Sequence, residues 1–209
     1  MLFGTGVAVG GITVGVGGGT AVAVGSGGGV GAGPFHSQSL EATFLHVPGL
    51  KVVAPAWPED AYLLLREAVR DPNPVLFFEH KYLYRRLRES VPDGDILVPI
   101  GKARIVRSGN DVSVIAYSWM VHHALEAAQQ LEAEGVSVEV IDLRSLVPFD
   151  FQTVFESIAR TNRALGVHEA TATCGFGAEI AARIVAEAFE YLDAPVPRVT
   201  CPDNPIPYD

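Results

Sequence analysis

The apolar and polar positions of the second half of the chain follow a regular pattern. From about residue 99 onward, short apolar runs alternate with stretches whose apolar residues recur every three or four positions. The first kind of run is typical of buried strands and the second of amphipathic helices. The pattern predicts strands at 112–116, 136–143, 164–167 and 196–200, and helices at 119–134, 150–161 and 176–192. Alternating elements with short connections favour an α/β fold with helices on both faces of an open sheet.

The stretch from residue 40 to 78 predicts a smaller set of elements. Pro58 suits the first turn of a helix, and Glu59 and Asp60 favour its positive end. A composition break follows at 92–95, so we place a domain boundary between Arg86 and Pro99. The pattern around these points predicts a helix at 40–46, a strand at 51–54, a helix from Pro58 that ends at Asp71-Pro72-Asn73-Pro74, and a strand at 75–78.

The beginning of the chain has a different composition. Residues 1–33 contain no charged side chain and 14 of the 22 glycines. Valines alternate with other residues at Val7 and Val9 and again at Val22 and Val24, which suits strands. Glycine weakens a strand and its register, so we favour a flexible, low-complexity leader at 1–25. A signal peptide would begin with positively charged residues, and this stretch has none. The frequent glycines argue against a membrane-spanning helix, which needs roughly 20 mostly apolar residues.

Composition and charge exclude several classes of partner. The chain of 209 residues is 48% hydrophobic and 19% charged, with a formal net charge of −9. A nucleic-acid partner requires a basic face, and a membrane surface favours a run of basic residues, so we expect neither partner. Cys174 and Cys201 have no zinc-binding spacing and no obvious need for a disulfide. Two scattered thiols fit a reducing compartment: the cytoplasm, or the mitochondrial matrix in a eukaryote.

The strongest candidate for a catalytic loop is Gly31 to Ser39, which contains His36. Glycines let a backbone approach a ligand closely. Hydrogen bonds from Ser37 and Gln38 could hold a neighbouring histidine in one tautomer, and an unperturbed histidine side chain titrates near neutral pH. Such a histidine can act as a general acid or base, or stabilise a developing oxyanion. On spacing alone, a histidine that caps a helix start is the slightly favoured interpretation.

The other histidines give weaker signals. His122 and His123 are adjacent on a predicted helix and point about 100° apart, so we interpret them as a solvated pair rather than as ligands of one metal. His46 and His80 lack a patterned carboxylate partner. His168-Glu169 follows a predicted strand, and a structural or interface role is the favoured interpretation. The match of 27–32 to a dinucleotide-binding glycine pattern is rejected, because Pro34 prevents a helix from following.

Several blocks together carry a family resemblance. They occur in the same order and spacing as in the beta subunits of pyruvate and branched-chain 2-oxo acid dehydrogenases, and in the related acetoin dehydrogenases. The resemblance covers Ser26 to Asp209. The blocks are Ser26–Ser39 with its His-Ser-Gln centre, Val47–Pro55, Asp71–Lys81 with its Phe-Glu-His-Lys end, Val138–Leu146, His168-Glu169 with Gly175–Glu179, and Asp203–Tyr208.

The resemblance implies a fold and a reaction. The fold would be a partial pyrimidine-binding domain at 26–90, followed at 91–209 by a transketolase C-terminal-type domain with three α/β/α layers. The reaction would be oxidative decarboxylation of a 2-oxo acid with acyl transfer to a lipoyl carrier. Thiamine diphosphate and magnesium would be held mainly by an alpha subunit in an α2β2 assembly, which also works with a lipoyl-bearing acyltransferase. By resemblance, His36 would assist acyl transfer, and Asp71 and Asn73 would belong to a structural potassium site.

The sequence departs from the family in one chemically important place. Family members carry a glutamate before the His-Ser-Gln block that contacts the cofactor's pyrimidine, whereas the first acidic residue here is Glu41, after that block. The sequence therefore identifies no cofactor-binding residue. We interpret the chain as a truncated or mis-started reading frame, and upstream genomic sequence tests this. We also expect that it has no decarboxylase activity by itself.

Two alternatives remain open from the sequence. The chain could be a non-catalytic oligomerisation or docking module with the same fold. It could also be another transketolase-type enzyme such as a deoxyxylulose-phosphate synthase, but the His-Ser-Gln and Phe-Glu-His-Lys runs argue against this. The sequence does not distinguish pyruvate, a branched-chain 2-oxo acid or acetoin as the substrate.

Overall fold

The computed structural model describes residues 7–9, 12–14, 21–28, 37–94 and 96–205. Among these residues, the first sheet has six strands in the order β1, β2, β3, β5, β4, β9. Strand β3 pairs in parallel with β5, and β5 pairs in parallel with β4. The strands are β1 (Val7–Val9), β2 (Ile12–Val14), β3 (Ala21–Ser26), β4 (Lys51–Val53), β5 (Val75–His80) and β9 (Ser145–Val147).

The described part of the glycine-rich beginning forms strands, so the preference for a flexible leader is wrong for those residues. Strands β1, β2 and β3 pair antiparallel in sequence order, and β3 lies beside β5 within the sheet. Val24 is buried in the core. Alternating valines therefore outweighed the cost of glycine, because the sheet supplies packing that β3 could not obtain by itself. Strand β3 also crosses the predicted division at residues 25 and 26.

Two helices follow β3 along the chain, α1 (Glu41–Leu45) and α2 (Pro58–Arg70). Pro58 occupies the first turn of α2, as its sequence predicts, and Glu59 and Asp60 lie beside it. Helix α2 places Leu64 and Ala68 against Val53, Val75 and Phe77 on one face of the first sheet. This packing covers one face of β4 and β5.

The second sheet is built from the later part of the chain. In the described residues its order is β11, β10, β7, β8, β6, and the pairs β11–β10, β10–β7 and β7–β8 are parallel. Strand β6 is an antiparallel edge. The elements are β6 (Arg104–Arg107), β7 (Val112–Ala116), α3 (Met120–Glu132), β8 (Val138–Asp142), α4 (Phe151–Thr161), β10 (Ala164–Thr171), α5 (Phe176–Ala188) and β11 (Arg198–Cys201).

Alternate residues of the central strands face the two helical layers. Val114 and Val140 pack with Ala124 and other residues of α3. Ile115 and Ile141 belong to the core on the opposite face, which α4 and α5 cover. Period-two alternation with apolar residues on both sides is what a sheet covered on both faces requires. The predicted three-layer α/β/α arrangement is confirmed.

Strand β9 joins the two halves of the molecule. It follows β8 in the second half of the chain, yet it pairs antiparallel with β4 of the first sheet. Leu146 of β9 lies in a core that also contains Val52 and Phe78 of the first sheet and Ile141 of the second. The sequence pattern predicted neither β9 nor β6. The domain bounds 26–90 and 91–209 stay a prediction.

Candidate active site at the junction of the two sheets

Segments that are distant in sequence meet where the first sheet approaches β10. Strands β3 and β5 run in parallel with Ser26 opposite His80, so their carboxyl ends coincide. Such ends are the usual place for sites in open α/β sheets. The chain after β3 supplies Gly28, the approach to α1 supplies Ser39, and β10 supplies Glu169.

Glu169 is the centre of this junction. Its Oε1 accepts a hydrogen bond from the Gly28 backbone N–H at 2.8 Å. Its Oε2 accepts one from the Ser39 hydroxyl at 2.8 Å and lies 3.1 Å from Nε2 of His80. Burial alone would raise the pKa of Glu169, but its contacts with His80, Gly28 and Ser39 outweigh burial and hold the pKa below its ordinary value of 4.5. The group is therefore an ionised carboxylate at neutral pH.

The surroundings of His80 define its tautomer. Its Nδ1 accepts the backbone N–H of Tyr82 at 3.3 Å, so that nitrogen carries no hydrogen. Nε2 must then carry the hydrogen and donate it to Glu169. The ring is 4% exposed and lies 5.0 Å from the Trp119 ring. His80 is therefore placed to donate to Glu169.

Gly27 makes the close packing around His80 possible. Its φ is +92°, and a Cβ at this position would lie 2.0 Å from His80 Nε2. Either fact alone disfavours a larger residue. The Gly27 N–H also donates to the Gln38 carbonyl at 3.3 Å, which brings together the chain before and after residues 29–36.

A second buried pair lies beside Glu169. The Tyr117 hydroxyl donates to Oε1 of Glu41 at 2.6 Å, and both residues are 4% exposed. Burial raises the pKa of Glu41, and burial together with the nearby Glu41 carboxyl raises that of Tyr117. Ser39, Glu41, His80, Tyr117 and Glu169 line a cavity of about 20 Å³. A space of this size holds one water molecule and no heterocyclic ring.

His36, the predicted catalytic residue, lies outside the described residues, as do residues 29–35. It stands three positions before Ser39 in the sequence. The described site therefore includes Gly28 and Ser39, which lie on either side of His36 in the sequence.

The predicted potassium ligands lie at the end of α2, away from Glu169. Asp71 pairs with the Lys51 ammonium, and its Oδ1 accepts from the backbone and side-chain N–H groups of Asn73 at 2.9 and 3.0 Å. These contacts, with Lys51 first, lower the pKa of Asp71. An ion at this carboxylate would displace or share these partners, and the site stays a prediction. Within the described residues, no group of three His, Cys, Asp or Glu side chains could hold a metal ion.

The structure corrects the interpretation of two other histidines. His80, expected to lack a carboxylate partner, has Glu169. His122, expected to be solvated, is partly buried: its Nε2 lies 2.8 Å from the Ala56 carbonyl, and its ring lies 4.4 Å from Trp57. His123 is exposed, as predicted.

His168, next to Glu169, has a structural environment. It is 2% exposed, and its ring lies parallel to that of Tyr117 with the centroids 6.3 Å apart. Burial lowers its pKa to about 4. A Cβ at Gly175 or Gly177 would lie 2.5 Å from a ring carbon of His168. The Gly-Phe-Gly start of α5 therefore leaves room for this imidazole, which agrees with the structural interpretation.

Comparison with known proteins places this arrangement in a family. The profile of the transketolase C-terminal domain matches residues 101–209, and that of the transketolase pyrimidine-binding domain matches residues 6–86. The chain belongs to the transketolase family. The pyrimidine-domain match includes most of the glycine-rich segment that the sequence pattern favoured as a flexible leader.

Individual members of the transketolase family give a finer comparison. A 2-oxoisovalerate dehydrogenase subunit beta 2, mitochondrial, of Arabidopsis thaliana is 47% identical over 84% of this chain and 49% of its own length. Pyruvate dehydrogenase E1 component subunit beta-2, mitochondrial, of Oryza sativa subsp. japonica is 49% identical over 84% and 48%. The beta subunit of acetoin:2,6-dichlorophenolindophenol oxidoreductase of Cupriavidus necator is 47% identical over 83% and 51%. The chain thus spans about half the length of these relatives.

A solved structure agrees with the fold. The protein described as "Split gene transketolase, inactive beta4 tetramer" superposes with a TM-score of 0.72 at 26% identity, over 90% of this chain and 58% of that one. In the part of the chain that the structure describes, no helix is long and apolar enough to cross a membrane.

The carboxyl cluster of Glu41 and Glu169 does not fit the pyrimidine ring of thiamine diphosphate by itself. The cavity beside Glu41 and Glu169 is too small for the cofactor's pyrimidine ring. Both carboxyl groups are already engaged, Glu41 by Tyr117 and Glu169 by its three contacts. No acidic residue precedes Glu41 in the sequence. A pocket for the cofactor must therefore involve groups other than these two carboxyls.

Sequence reasoning underestimated Glu169 for an identifiable reason. The predicted strand stopped at Val167, whereas β10 continues to Thr171 and places Glu169 within the strand. Strand β5 likewise continues to His80, two residues beyond its predicted end. An acidic residue and a histidine at the ends of two apolar runs were the available signal, but the pairing of those ends depends on how the two sheets pack.

Proposed function

We propose that the chain acts as a beta subunit of the decarboxylating component of a 2-oxo acid dehydrogenase. The reaction is oxidative decarboxylation of pyruvate or a branched-chain 2-oxo acid, with acyl transfer to a lipoyl carrier. The observation that carries the proposal is the identity of 47–49% to three beta subunits, combined with both transketolase domains in their family order. The names of these relatives include two mitochondrial proteins and one from a bacterium, which supports a cytoplasmic or matrix location.

The partners follow from the same comparison. We propose an alpha subunit in an α2β2 assembly and a lipoyl-bearing acyltransferase as the acyl acceptor. Thiamine diphosphate and magnesium are held mainly by the alpha subunit. The small cavity beside Glu41 and Glu169 supports this division of labour, because both of these buried carboxyls already have hydrogen-bond partners.

His36 is the residue of this chain that we propose assists acyl transfer. The resemblance of 26–39 to the family's His-Ser-Gln block supports this role. The described neighbours also support it, because Gly28 and Ser39, on either side of His36 in sequence, meet at Glu169. An imidazole would accept one proton as the neutral base and return it as the imidazolium.

Reconstitution tests the proposal. The full chain is mixed with an alpha subunit from each of three classes: pyruvate, branched-chain 2-oxo acid and acetoin dehydrogenase. Size-exclusion chromatography detects complexes, and ferricyanide reduction measures decarboxylation with thiamine diphosphate and magnesium. We expect the pyruvate or the branched-chain 2-oxo acid class to form a heteromer that turns over its 2-oxo acid, and no turnover by the chain alone. Turnover without an alpha subunit, or no complex with any class, contradicts the proposal.

A second candidate function is a non-catalytic oligomerisation or docking module. The engaged carboxyl cluster around Glu169 favours it, since the cavity of about 20 Å³ beside this cluster is too small for a cofactor ring. The same chromatography separates the two functions. A module of this kind assembles with itself or with an alpha subunit and yields no turnover in any mixture.

We also propose that Asp71 and Asn73 bind potassium. Asp71 and Asn73 at the end of α2 provide carboxylate and amide oxygens, and a potassium ion would displace the Lys51 ammonium from Asp71 or share the carboxylate with it. Thermal unfolding in potassium and in sodium chloride of equal concentration tests the site. Selective stabilisation by potassium that is lost in Asp71→Asn supports it, and equal melting temperatures in the two salts contradict it.

A further inference from the structure

Two buried carboxyl groups line one small cavity at the junction of the sheets. Glu41 belongs to α1 of the first half of the chain, and Glu169 belongs to β10 of the second half. The cavity has a volume of about 20 Å³, and its polar lining also includes Ser39, His80 and Tyr117. Two carboxylates this close together in a buried space repel each other, so one of the two groups is expected to keep a proton.

The contacts of the two groups indicate which one keeps the proton. The three donors around Glu169 favour its ionised form and hold its pKa below 4.5 despite burial. Glu41 is 4% exposed and accepts from the Tyr117 hydroxyl at 2.6 Å. Burial raises the pKa of Glu41 more than this hydrogen bond lowers it, and the nearby Glu169 charge raises it further. Glu41 is therefore the acid of the pair, and Glu169 is the carboxylate.

The described charges on the neighbouring elements are committed elsewhere. Helix α1 packs against β4 and α5. The charged side chains of β4 and α5 pair with other residues or face solvent: Lys51 pairs with Asp71, Arg183 pairs with Glu187, and Glu179 is exposed. Near Glu169, burial and then the Glu169 carboxylate raise the pKa of the Cys201 thiol, which stays neutral. The negative charge that Glu41 meets across the cavity is thus that of Glu169.

The cavity has the size and the polarity to hold one water molecule. A buried water needs roughly 10–15 Å³ of accessible space and two to four polar partners. The Ser39 hydroxyl donates to Glu169, and the Tyr117 hydroxyl donates to Glu41. Each hydroxyl oxygen also keeps a lone pair that accepts from a water. The polar groups that line the cavity therefore suffice for a bound water.

We propose that the Glu41 carboxylic acid and the Glu169 carboxylate share one proton across the junction through a water molecule bound in this cavity. Glu41 donates to the water, and the water donates to Glu169. The shared proton connects α1 in the first half of the chain to β10 in the second. Its loss at higher pH places two negative charges in one buried cavity, so base weakens the junction through Glu41. This arrangement is independent of the proposed enzymatic function.

Carboxyl-carbon NMR of the full chain with isotope-labelled glutamate measures the proton directly. The two resonances are assigned from their loss in Glu41→Gln and in Glu169→Gln, and both are followed through a pH titration. We expect Glu169 to ionise below pH 4.5 and Glu41 above it. In Glu169→Gln the Glu41 midpoint should fall toward 4.5, because a negative charge is removed. Glu134→Gln, at an exposed position after α3, is the control and should leave both midpoints unchanged.

Tyr117→Phe distinguishes this network from a general loosening of the fold. The Tyr117 hydroxyl stabilises ionised Glu41, so its removal should raise the Glu41 midpoint, opposite in direction to the effect of Glu169→Gln. A loosened fold would expose Glu41 to water and lower its midpoint in both variants, and that outcome contradicts the proposal. A wild-type Glu41 midpoint at or below 4.5, or one that does not change in Glu169→Gln, overturns it.

Stability provides a second readout that needs no variant of Glu169. In Glu41→Gln the amide oxygen can accept from Tyr117 and the NH2 can donate to the water, so this variant mimics the protonated acid. The unfolded chain releases the Glu41 proton near pH 4.5 and the folded chain at a higher pH. The wild type should therefore lose stability relative to Glu41→Gln as the pH rises above 4.5. Urea unfolding at several pH values measures this difference, and a difference that does not vary with pH overturns the shared proton.

A high-resolution crystal structure of the full chain, grown just above pH 4.5, locates the water. We expect one ordered water molecule within hydrogen-bond distance of both Glu41 and Glu169. A dry cavity, or a direct contact between the two carboxyl groups, overturns the bridging role of the water.

Discussion

Nε2 of His80 lies 3.1 Å from Oε2 of Glu169, although 89 residues separate them in the chain. His80 ends β5 of the first sheet, and Glu169 lies in β10 of the second. The contact is partly buried, with 2% of the histidine side chain and 13% of the glutamate side chain exposed. The junction between the sheets is therefore polar at this point, and its strength depends on the ionisation of Glu169.

Acid should weaken this junction. The pKa of Glu169 in the folded chain lies below its ordinary value of 4.5, so the group stabilises the fold above that value. The contribution is lost as the pH falls through the depressed folded value. We expect Glu169→Gln to lower the free energy of unfolding by about 1–3 kcal/mol at pH 7, because it leaves a buried donor unpaired. Urea unfolding between pH 3 and pH 7 measures this, and the difference should shrink below about pH 4.5. A difference that stays constant with pH contradicts it, and Glu134→Gln, at an exposed glutamate just after α3, is the control.

Asp142 should have the opposite pH dependence. It is fully buried, its Oδ1 accepts the Arg144 N–H at 3.0 Å, and its Oδ2 has no partner among the described residues. Burial, followed by the nearby Asp60 carboxylate, raises the pKa of Asp142 from 3.8 to about 8. The unfolded chain releases this proton near 3.8 and the folded chain only near 8, so the wild type loses stability as the pH rises between these values.

The variant Asp142→Asn does not titrate and keeps an oxygen for the Arg144 N–H. Its stability relative to the wild type should therefore rise as the pH increases from about 4 to about 8 and then level off. Urea unfolding at several pH values across this range measures the trend. A relative stability that is flat, or that falls with pH, contradicts the assignment of a raised pKa to Asp142.

The buried ion pair of Asp60 and Arg144 should contribute more to the free energy of unfolding than an exposed ion pair does. The Arg144 guanidinium donates to Oδ1 of Asp60 at 2.8 Å, and their side chains are 10% and 2% exposed. Asp60→Ala leaves a buried guanidinium without its carboxylate, which costs about 3–5 kcal/mol. The exposed pair of Arg163 and Asp193, 54% and 58% exposed, is the matched control, and Asp193→Ala should cost about 0–1 kcal/mol. Chemical denaturation compares the two, and equal losses contradict the prediction.

Gly177 should tolerate no side chain while His168 is present. A Cβ at this position would lie 2.5 Å from the His168 ring, so Gly177→Ala forces the ring or α5 to shift. Overpacking of this kind costs about 1–3 kcal/mol. In a His168→Ala background the added methyl group enters the vacated space, and the penalty should fall. A double-mutant cycle by thermal unfolding measures this coupling, and additive effects contradict the contact.

The sequence predicted most of the regular elements because their periodicity is local. Helix α4 begins after Asp150, whose side chain accepts the Thr153 N–H as a cap, and the strands at 112–116 and 138–142 are carried by their apolar runs. The strand Ser145–Val147 escaped prediction because three residues give no periodicity and their partner, β4, is more than 90 positions away. The glycine-rich strand β3 was not predicted as part of the sheet because its stability comes from pairing with β5, a strand distant in sequence.

The candidate site was less predictable than the fold. His36 was recognised from its block and lies outside the described residues, so its role stays a prediction. Glu169 was noticed, but it was assigned a structural or interface role, because its significance depends on Gly28, Ser39 and His80 converging from three other places. Sequence spacing does not encode that convergence, since it depends on how β10 approaches the ends of β3 and β5.

Strand β9 should make the stability of the first half of the chain depend on the second half. Because Ser145–Val147 completes the first sheet, removing the second half of the chain would expose the N–H and C=O groups along one side of Lys51–Val53. It would also take Leu146 away from Val52 and Phe78. The first half expressed separately should therefore self-associate through its bare β4. In the intact protein the two halves should melt together, as a single cooperative transition in calorimetry.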